Sequence, residues 1–290
     1  MGKLSACLVL ALAACGSSNS KKPPDAQIVV PDAPPDAKVF LDAPIDAPPV
    51  FDFACVNNPA PMTANATVAI SGNAQEVGIS GGTTPTFSPL ANATVDACTG
   101  NCMGQGALGS AMTDASGNFN VTGIATGGTP LAAYLKLTPP APTPPATMPD
   151  KTVLEYPAEP VTADVTGIPL FTLTPTAAAD LAILGCTSTS TQGMLAVLLT
   201  DCSNMPITDT THTQLIIKQG GTDITASLTV INLGQFSSMA AGTYLLCKVP
   251  ANATTSVGAT YTQTMTTTFL AHDVAVVADE ITATQIRPGY

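Results

Sequence analysis

The side chains best able to do chemistry in this 290-residue chain are two histidines, eight cysteines and one serine within a glycine-rich pentapeptide. Gly78-Ile79-Ser80-Gly81-Gly82 spells the G-x-S-x-G pattern of a nucleophile elbow. That motif works where a strand turns sharply into a helix beneath the serine. Thr83-Thr84-Pro85-Thr86 follows instead, which opens no helix, and no strand–helix alternation surrounds it. The segment reads as a Gly-rich loop. His212 lies in a Thr-rich stretch expected at a strand edge or in a loop, and His272 precedes Asp273 at the head of a valine-rich strand. Neighbours on a strand point to opposite faces, so His272 and Asp273 do not form a dyad. Asp114, Ser116 and Asn118 share the spacing of the first ligands of a calcium loop. The glycine and the terminal acid that such a loop needs are missing, and turn chemistry suffices. No catalytic residue, metal-ligand set or cofactor is expected.

The elements that hold these residues start with an export signal. Lys3 supplies a positive start and Leu4 to Leu12 an apolar run of signal-peptide length, too short to span a bilayer. Leu12-Ala13-Ala14-Cys15-Gly16 resembles the lipobox cut by bacterial lipoprotein signal peptidase. By that resemblance residues 1–14 are removed and Cys15 is acylated at its sulfur, with palmitate among the chains, giving a stable lipid anchor. Gly16 rather than an aspartate after the cysteine favours the outer membrane, on its periplasmic or cell-surface side. Residues 15–54 then form a low-complexity stalk in which Asp-Ala recurs beside many prolines. Proline removes donors and holds the chain extended, and like charges keep it open. As polyproline II at about 3.1 Å per residue, this spacer reaches on the order of 100 Å.

The remaining cysteines are Cys55, Cys98, Cys102, Cys186, Cys202 and Cys247, an even number in an exported chain and therefore a disulfide framework. Fifteen pairings are open. Cys98 and Cys102 could close a tight loop. The metal reading of that pair needs two more ligands, and both histidines lie in the other half of the chain. Three cysteines fall on each side of residue 174, so complete pairing requires at least one bridge between the halves.

Composition narrows the function classes. Charged residues are only 10 % of the chain, against roughly 25 % in an average soluble domain. Thr, Ser, Asn and Gly must cover the surface, which suits β-structure rather than a helical bundle. The net charge is −11, and beyond Lys38 the cations are Lys136, Lys151, Lys218, Lys248 and Arg287. No basic patch can form, which excludes nucleic acid as a partner. The expected partners are the membrane, through the lipid anchor, and a surface protein or glycan.

Residues 55–174 read as a β-sandwich. Thr67-Val68-Ala69-Ile70 is a first strand ended by Ser71-Gly72-Asn73, and Ala93 to Ala97 is another. Asp114 to Asn118 forms a hairpin turn between Met112-Thr113 and Phe119 to Thr122, because Asp and Ser caps with Gly117 permit the reversal. Leu131 to Leu137 continues the strands, and Pro139 to Pro149 is a surface loop. Residues 175–290 read as a second, degenerate sandwich, with one larger sandwich as the alternative. A short helix opens it, with Thr174 as cap, Pro175 in the first turn and Gly185 at the end. Met194 to Thr200, Gln214 to Gln219, Gly242 to Pro250, Ser256 to Thr262, Val274 to Val277 and Ile281 to Ile286 are its strands.

Pro89-Leu90-Ala91-Asn92-Ala93-Thr94-Val95, followed by Thr113-Asp114-Ala115-Ser116-Gly117-Asn118-Phe119, resembles the "PLAGATV … TDASGNF" pattern of carboxypeptidase regulatory-like domains. Asn92 replaces the usual glycine, and the intervening loop is longer and holds Cys98 and Cys102. The resemblance spans about Thr67 to Leu137 and implies a transthyretin-like or Ig-like sandwich that serves mostly as an accessory module. The expected fold is therefore all-β, two tandem sandwiches joined by a short helix after a disordered stalk. The expected function is a non-enzymatic outer-membrane or surface lipoprotein with structural or binding modules. The alternatives are a carbohydrate-binding accessory lipoprotein and a transthyretin-like hydrolase of small molecules. The absence of Trp weakens the first, and the scattered histidines weaken the second.

Overall fold

The computed structural model describes residues 50–289, apart from 81–83, 101, 103–105 and 143–147. The signal segment, Cys15 and nearly all of the expected stalk lie outside the described residues. Along the first half run strands β1 (Thr67–Ser80), β2 (Thr84–Pro89), β3 (Thr94–Cys98), β4 (Gly109–Met112), β5 (Asn118–Ala125), β6 (Tyr134–Thr138), β7 (Val153–Tyr156) and β8 (Val165–Leu173). Helix α1 (Pro175–Ile183) follows. The second half contributes β9 (Gln192–Leu199), β10 (Thr213–Gln219), β11 (Thr222–Asp223), β12 (Thr229–Asn232), β13 (Thr243–Pro250), β14 (Thr254–Thr262), β15 (Thr266–Thr268), β16 (His272–Ala275) and β17 (Ile281–Ile286).

These strands make three sheets. The first holds β2 and β5 along one flank of β1 and β8, parallel, along the other. The third joins β11, β10, β14 and β15, with β16 also on β14. Between them in pattern lies an eight-stranded sheet ordered β12-β13-β9-β17-β7-β6-β3-β4. Its strands come from both halves of the chain, and β17 is parallel to both neighbours, β7 and β9. The fold is all-β, two sandwiches that share this middle sheet. The 174/175 boundary divides the chain but not the sheet.

Alternation along the shared strands explains the two cores. On β9, Met194 and Ala196 belong to one core, whereas Leu195, Val197 and Leu199 belong to the other. On β13, Leu245 and Cys247 face the first core, and Tyr244 and Leu246 the second. A strand buried on both faces reads as an unbroken apolar run, and Gly193 to Leu199 and Tyr244 to Cys247 have that text. The first core is completed by Val68, Ile70, Phe119, Val121 and Leu170 from the first sheet. The second is completed by Ile217, Val257 and Phe269 from the third sheet and its flank.

Several local expectations hold and others change. Thr174 caps α1, its hydroxyl accepting from the Ala177 N–H at 3.0 Å, with Pro175 in the first turn and Gly185 at φ 82° beyond the end. Gly220 and Gly221 turn β10 into β11 at φ 55° and 82°. The first strand, however, does not stop at Ser71-Gly72-Asn73 but continues to Ser80. Gly72 is there for close approach: a Cβ at that position would strike the Ile168 carbonyl on β8. The turn at Asp114 to Asn118 forms, with Asp114 Oδ1 accepting from the Ser116 and Asn118 N–H groups at 2.8 Å. It is not a hairpin turn, because β4 pairs with β3 in the middle sheet while β5 pairs with β1 in the first. It is a corner between sheets, which lets Phe119, Val121 and Ile124 reach the core from the opposite layer.

Candidate functional site

The six described cysteines pair as Cys55–Cys202, Cys98–Cys102 and Cys186–Cys247. Cys55–Cys202 crosses between the halves. It closes a set of ties around Phe51 to Cys55. Phe51 and Phe53 pack on Tyr261, with ring centroids 5.5 and 5.3 Å away. Asp52 donates its N–H to Asp201 Oδ2 at 2.9 Å, accepts the Cys202 N–H on its carbonyl at 2.8 Å and accepts the Ser203 hydroxyl at 2.9 Å. Beside these rings lies a cluster that sequence reading missed. Asp209 Oδ2 is 2.5 Å from His212 Nδ1 and accepts the Tyr261 hydroxyl at 3.1 Å, while Oδ1 accepts the Thr211 hydroxyl at 2.7 Å. Burial pushes the Asp209 carboxyl up, but the bonds from Thr211, His212 and Tyr261 together outweigh it and hold it below the usual carboxylate range. The missed signal is the Asp209-x-Thr211-His212 spacing, which suits a side-chain-capped turn. The Thr211 hydroxyl lies 3.0 Å from His212 Nδ1, the nitrogen that Asp209 also contacts, and its proton goes to Asp209 Oδ1, so these bonds close a turn that braces Tyr261 beneath Phe51 and Phe53.

The other histidine lines a cleft of about 700 Å³, a volume typical of small-ligand sites. One wall is the face of β6 and β7 opposite the first core, where Tyr134 and Tyr156 stack with centroids 4.7 Å apart and planes 20° from parallel. The facing wall is β16 and the residues after it. The Cys102 N–H donates to the Tyr134 hydroxyl and the Ala275 N–H to the Tyr156 hydroxyl, each at 3.2 Å. A phenol that accepts in this way keeps its own proton to donate. Lys136 and Glu280 also line the cleft. Burial raises the Glu280 carboxyl, against the pull of Lys136, and its buried Oε2 has no hydrogen-bond donor among the described residues. Two phenols, an ammonium and a carboxyl in one concavity can hold a neutral polar ligand.

The cleft does not align a nucleophile. His272 Nε2 sits 2.6 Å from the Thr284 hydroxyl, and burial lowers its pKa against the charge of Asp273. Thr284 is 2 % exposed, so a substrate cannot reach its oxygen. Asp273 forms no hydrogen bond to the imidazole among the described residues, as expected for strand neighbours. Gly78 to Ser80 form the end of β1, with Ser80 opposite Thr84 on β2. At Gly78 to Ser80 strand pairing replaces the loop expected there, and Gly81 and Gly82 lie outside the described residues. Among the described residues no group of three or more His, Cys, Asp and Glu side chains could hold a metal ion.

No protein-family model and no curated protein matches the sequence. Among solved structures, the shaft pilin SpaA of Lactobacillus rhamnosus GG is similar at 9 % identity, covering 77 % of this chain and 98 % of that one, with a TM-score of 0.24. A single-site variant of the same pilin gives 10 % identity, the same coverages and a TM-score of 0.25. A double variant gives 11 % identity over 79 % and 98 %, with a TM-score of 0.23. Likeness at this level carries no function to the present chain.

Proposed function

We propose that this chain is a non-catalytic lipoprotein module, acylated at Cys15 in the outer membrane and displayed on the stalk of residues 15–54. The observation that carries the reading is the anchorage at residues 51–55. A bridge between Cys55 and Cys202, aromatic packing by Phe51 and Phe53, and the backbone bonds of Asp52 fix the point where a stalk would enter the body. An ordinary fraying terminus has none of these ties. Tension applied along the stalk would act on a covalently closed loop rather than on a free strand. Disulfides persist in oxidising compartments outside the cytoplasm, which agrees with export. Kinship with carboxypeptidase regulatory-like modules, argued from Pro89 to Val95 and Thr113 to Phe119, gives the same accessory role.

The tyrosine cleft favours a second reading, recognition of a glycan, because paired phenol donors and a carboxyl acceptor match a neutral polyhydroxy ligand. Radioactive palmitate labelling of cells tests the anchor: the chain takes up label, and Cys15→Ser abolishes uptake and releases the protein from the membrane fraction. External protease on intact cells tests display, and protection of the body would defeat it. A glycan array without a hit would remove the second reading and leave the anchor untouched.

A further inference from the structure

A second concavity lies on the opposite face of β7. It is a groove of about 480 Å³ between β8 and the inner face of β6, β7, β17 and β9. The strand register places Leu135, Glu155, Ala283 and Ala196 side by side across the middle sheet, so one acid interrupts an apolar row. Val165, Ile168 and Phe171 of β8 form the facing wall. Glu155 has no hydrogen-bond or ion-pair partner among the described residues, and burial alone pushes its carboxyl up to about 8. The other ionisable groups of the groove are already engaged. Asp164 accepts the Ala69 N–H at 2.8 Å, and Arg287 pairs with Glu159 at 2.7 Å.

Glu155 is half-buried and its carboxyl opens into the groove, where a protonated carboxyl with no protein acceptor can donate to a bound group. A peptide strand added to the edge of β8 could fill the groove, but Pro169 stands in that edge and offers no N–H to a new ladder. The occupant that fits is therefore a small molecule. We infer that the groove is a binding site for an apolar compound bearing a carbonyl, whose oxygen accepts the Glu155 proton while its hydrocarbon body lies between Leu135, Ala196 and Ile168. This site adjoins the tyrosine cleft, sharing Tyr134 and residues 157–160 with its lining, and it does not depend on the lipid anchor.

The test uses the full chain and 6-propionyl-2-dimethylaminonaphthalene, a neutral fluorescent ketone whose emission reports both polarity and hydrogen bonding. Saturable binding with enhanced emission is expected, and the same naphthylamine without its ketone binds about 10-fold more weakly, the worth of one hydrogen bond to a buried group. Glu155→Leu keeps the volume, removes the donor and weakens ketone binding about 10-fold. Glu155→Gln keeps a donor and retains affinity. Wild-type affinity falls about 10-fold from pH 7 to pH 9 as the carboxyl ionises, whereas Glu155→Gln stays flat. Thermal unfolding confirms that both variants fold. Binding that does not saturate, that is unchanged in Glu155→Leu, or that ignores the ketone would overturn the assignment.

Discussion

The two faces of β7 make the most instructive comparison in the molecule. Val153 and Glu155 look toward the first sheet, and Leu154 and Tyr156 look the other way. The middle sheet has eight strands, whereas the sheets on either side have four and five. Neither cover matches its width, and a concavity opens on each face beside β6 and β7. On one face Glu155 interrupts an apolar row, with Asp164, Glu159 and Arg287 also in the lining, and on the other lies a tyrosine pair with Lys136 and Glu280. A sheet wider than its covers yields two concavities back to back, and the side chains of one four-residue strand give them opposite chemistry.

The covers are also tied down differently. Helix α1 rests on β1 and β8, Leu181 packs on the first core, and the chain just past the helix is bridged to β13 through Cys186–Cys247. On the other face Cys98–Cys102 closes only a local loop. In the chain-entropy account a bridge over 61 residues stabilises by about 4 kcal/mol and one over 4 residues by about 2 kcal/mol. Urea titration of Cys186→Ser/Cys247→Ser and Cys98→Ser/Cys102→Ser should reproduce that order, and equal losses would break the comparison.

Next in size, Leu154→Ala should cost about 3 kcal/mol, because Leu154 is 3 % exposed and the tyrosine stack leaves it little room to collapse. A loss well below that, read from the same titration, would mean that the second face repacks. Glu155→Leu should instead stabilise the protein by about 2 kcal/mol at pH 8 and above, since it removes an unpaired acid from an apolar row. The pH dependence fixes the sign. The folded carboxyl titrates near 8 and the unfolded one near 4.5, so the folded state holds the extra proton between those values. Wild-type stability therefore falls relative to Glu155→Leu as pH rises from about 5 to 8, and it levels off above. Thermal melts across that range check it, and parallel curves would show that Glu155 is solvated. The smallest effect belongs to Tyr156→Phe, about 1 kcal/mol for the bond from the Ala275 N–H, with the ring stack retained.

Local chemistry was legible in the residues. The helix from Pro175, its Thr174 cap, the Gly220-Gly221 turn and the strand from Ile281 to Ile286 all follow from contacts within a few positions of one another. The candidate sites were not. Glu155 sits in a four-residue strand preceded by a proline-rich loop, and nothing nearby announces that Leu135, Ala196 and Ala283 will flank it. His212 was visible, but nothing in its Thr-rich stretch singled out Asp209 as its partner. Gly72 read as the end of a strand because the Ile168 carbonyl that requires it lies 96 positions along the chain.

By itself the sequence determined an all-β body, six cysteines available for bridging and short-range turns and caps, because these depend on side-chain period and on bonds that close within a few residues. Tertiary structure decided which strands share a sheet, which cysteines meet and where a cover stops short. Those outcomes depend on pairing between segments up to about 150 positions apart, and the same alternating text allows several such pairings. The corner at Asp114 to Asn118 shows the division. Its residues dictated that the chain would turn, and only the packing of the layers decided into which sheet.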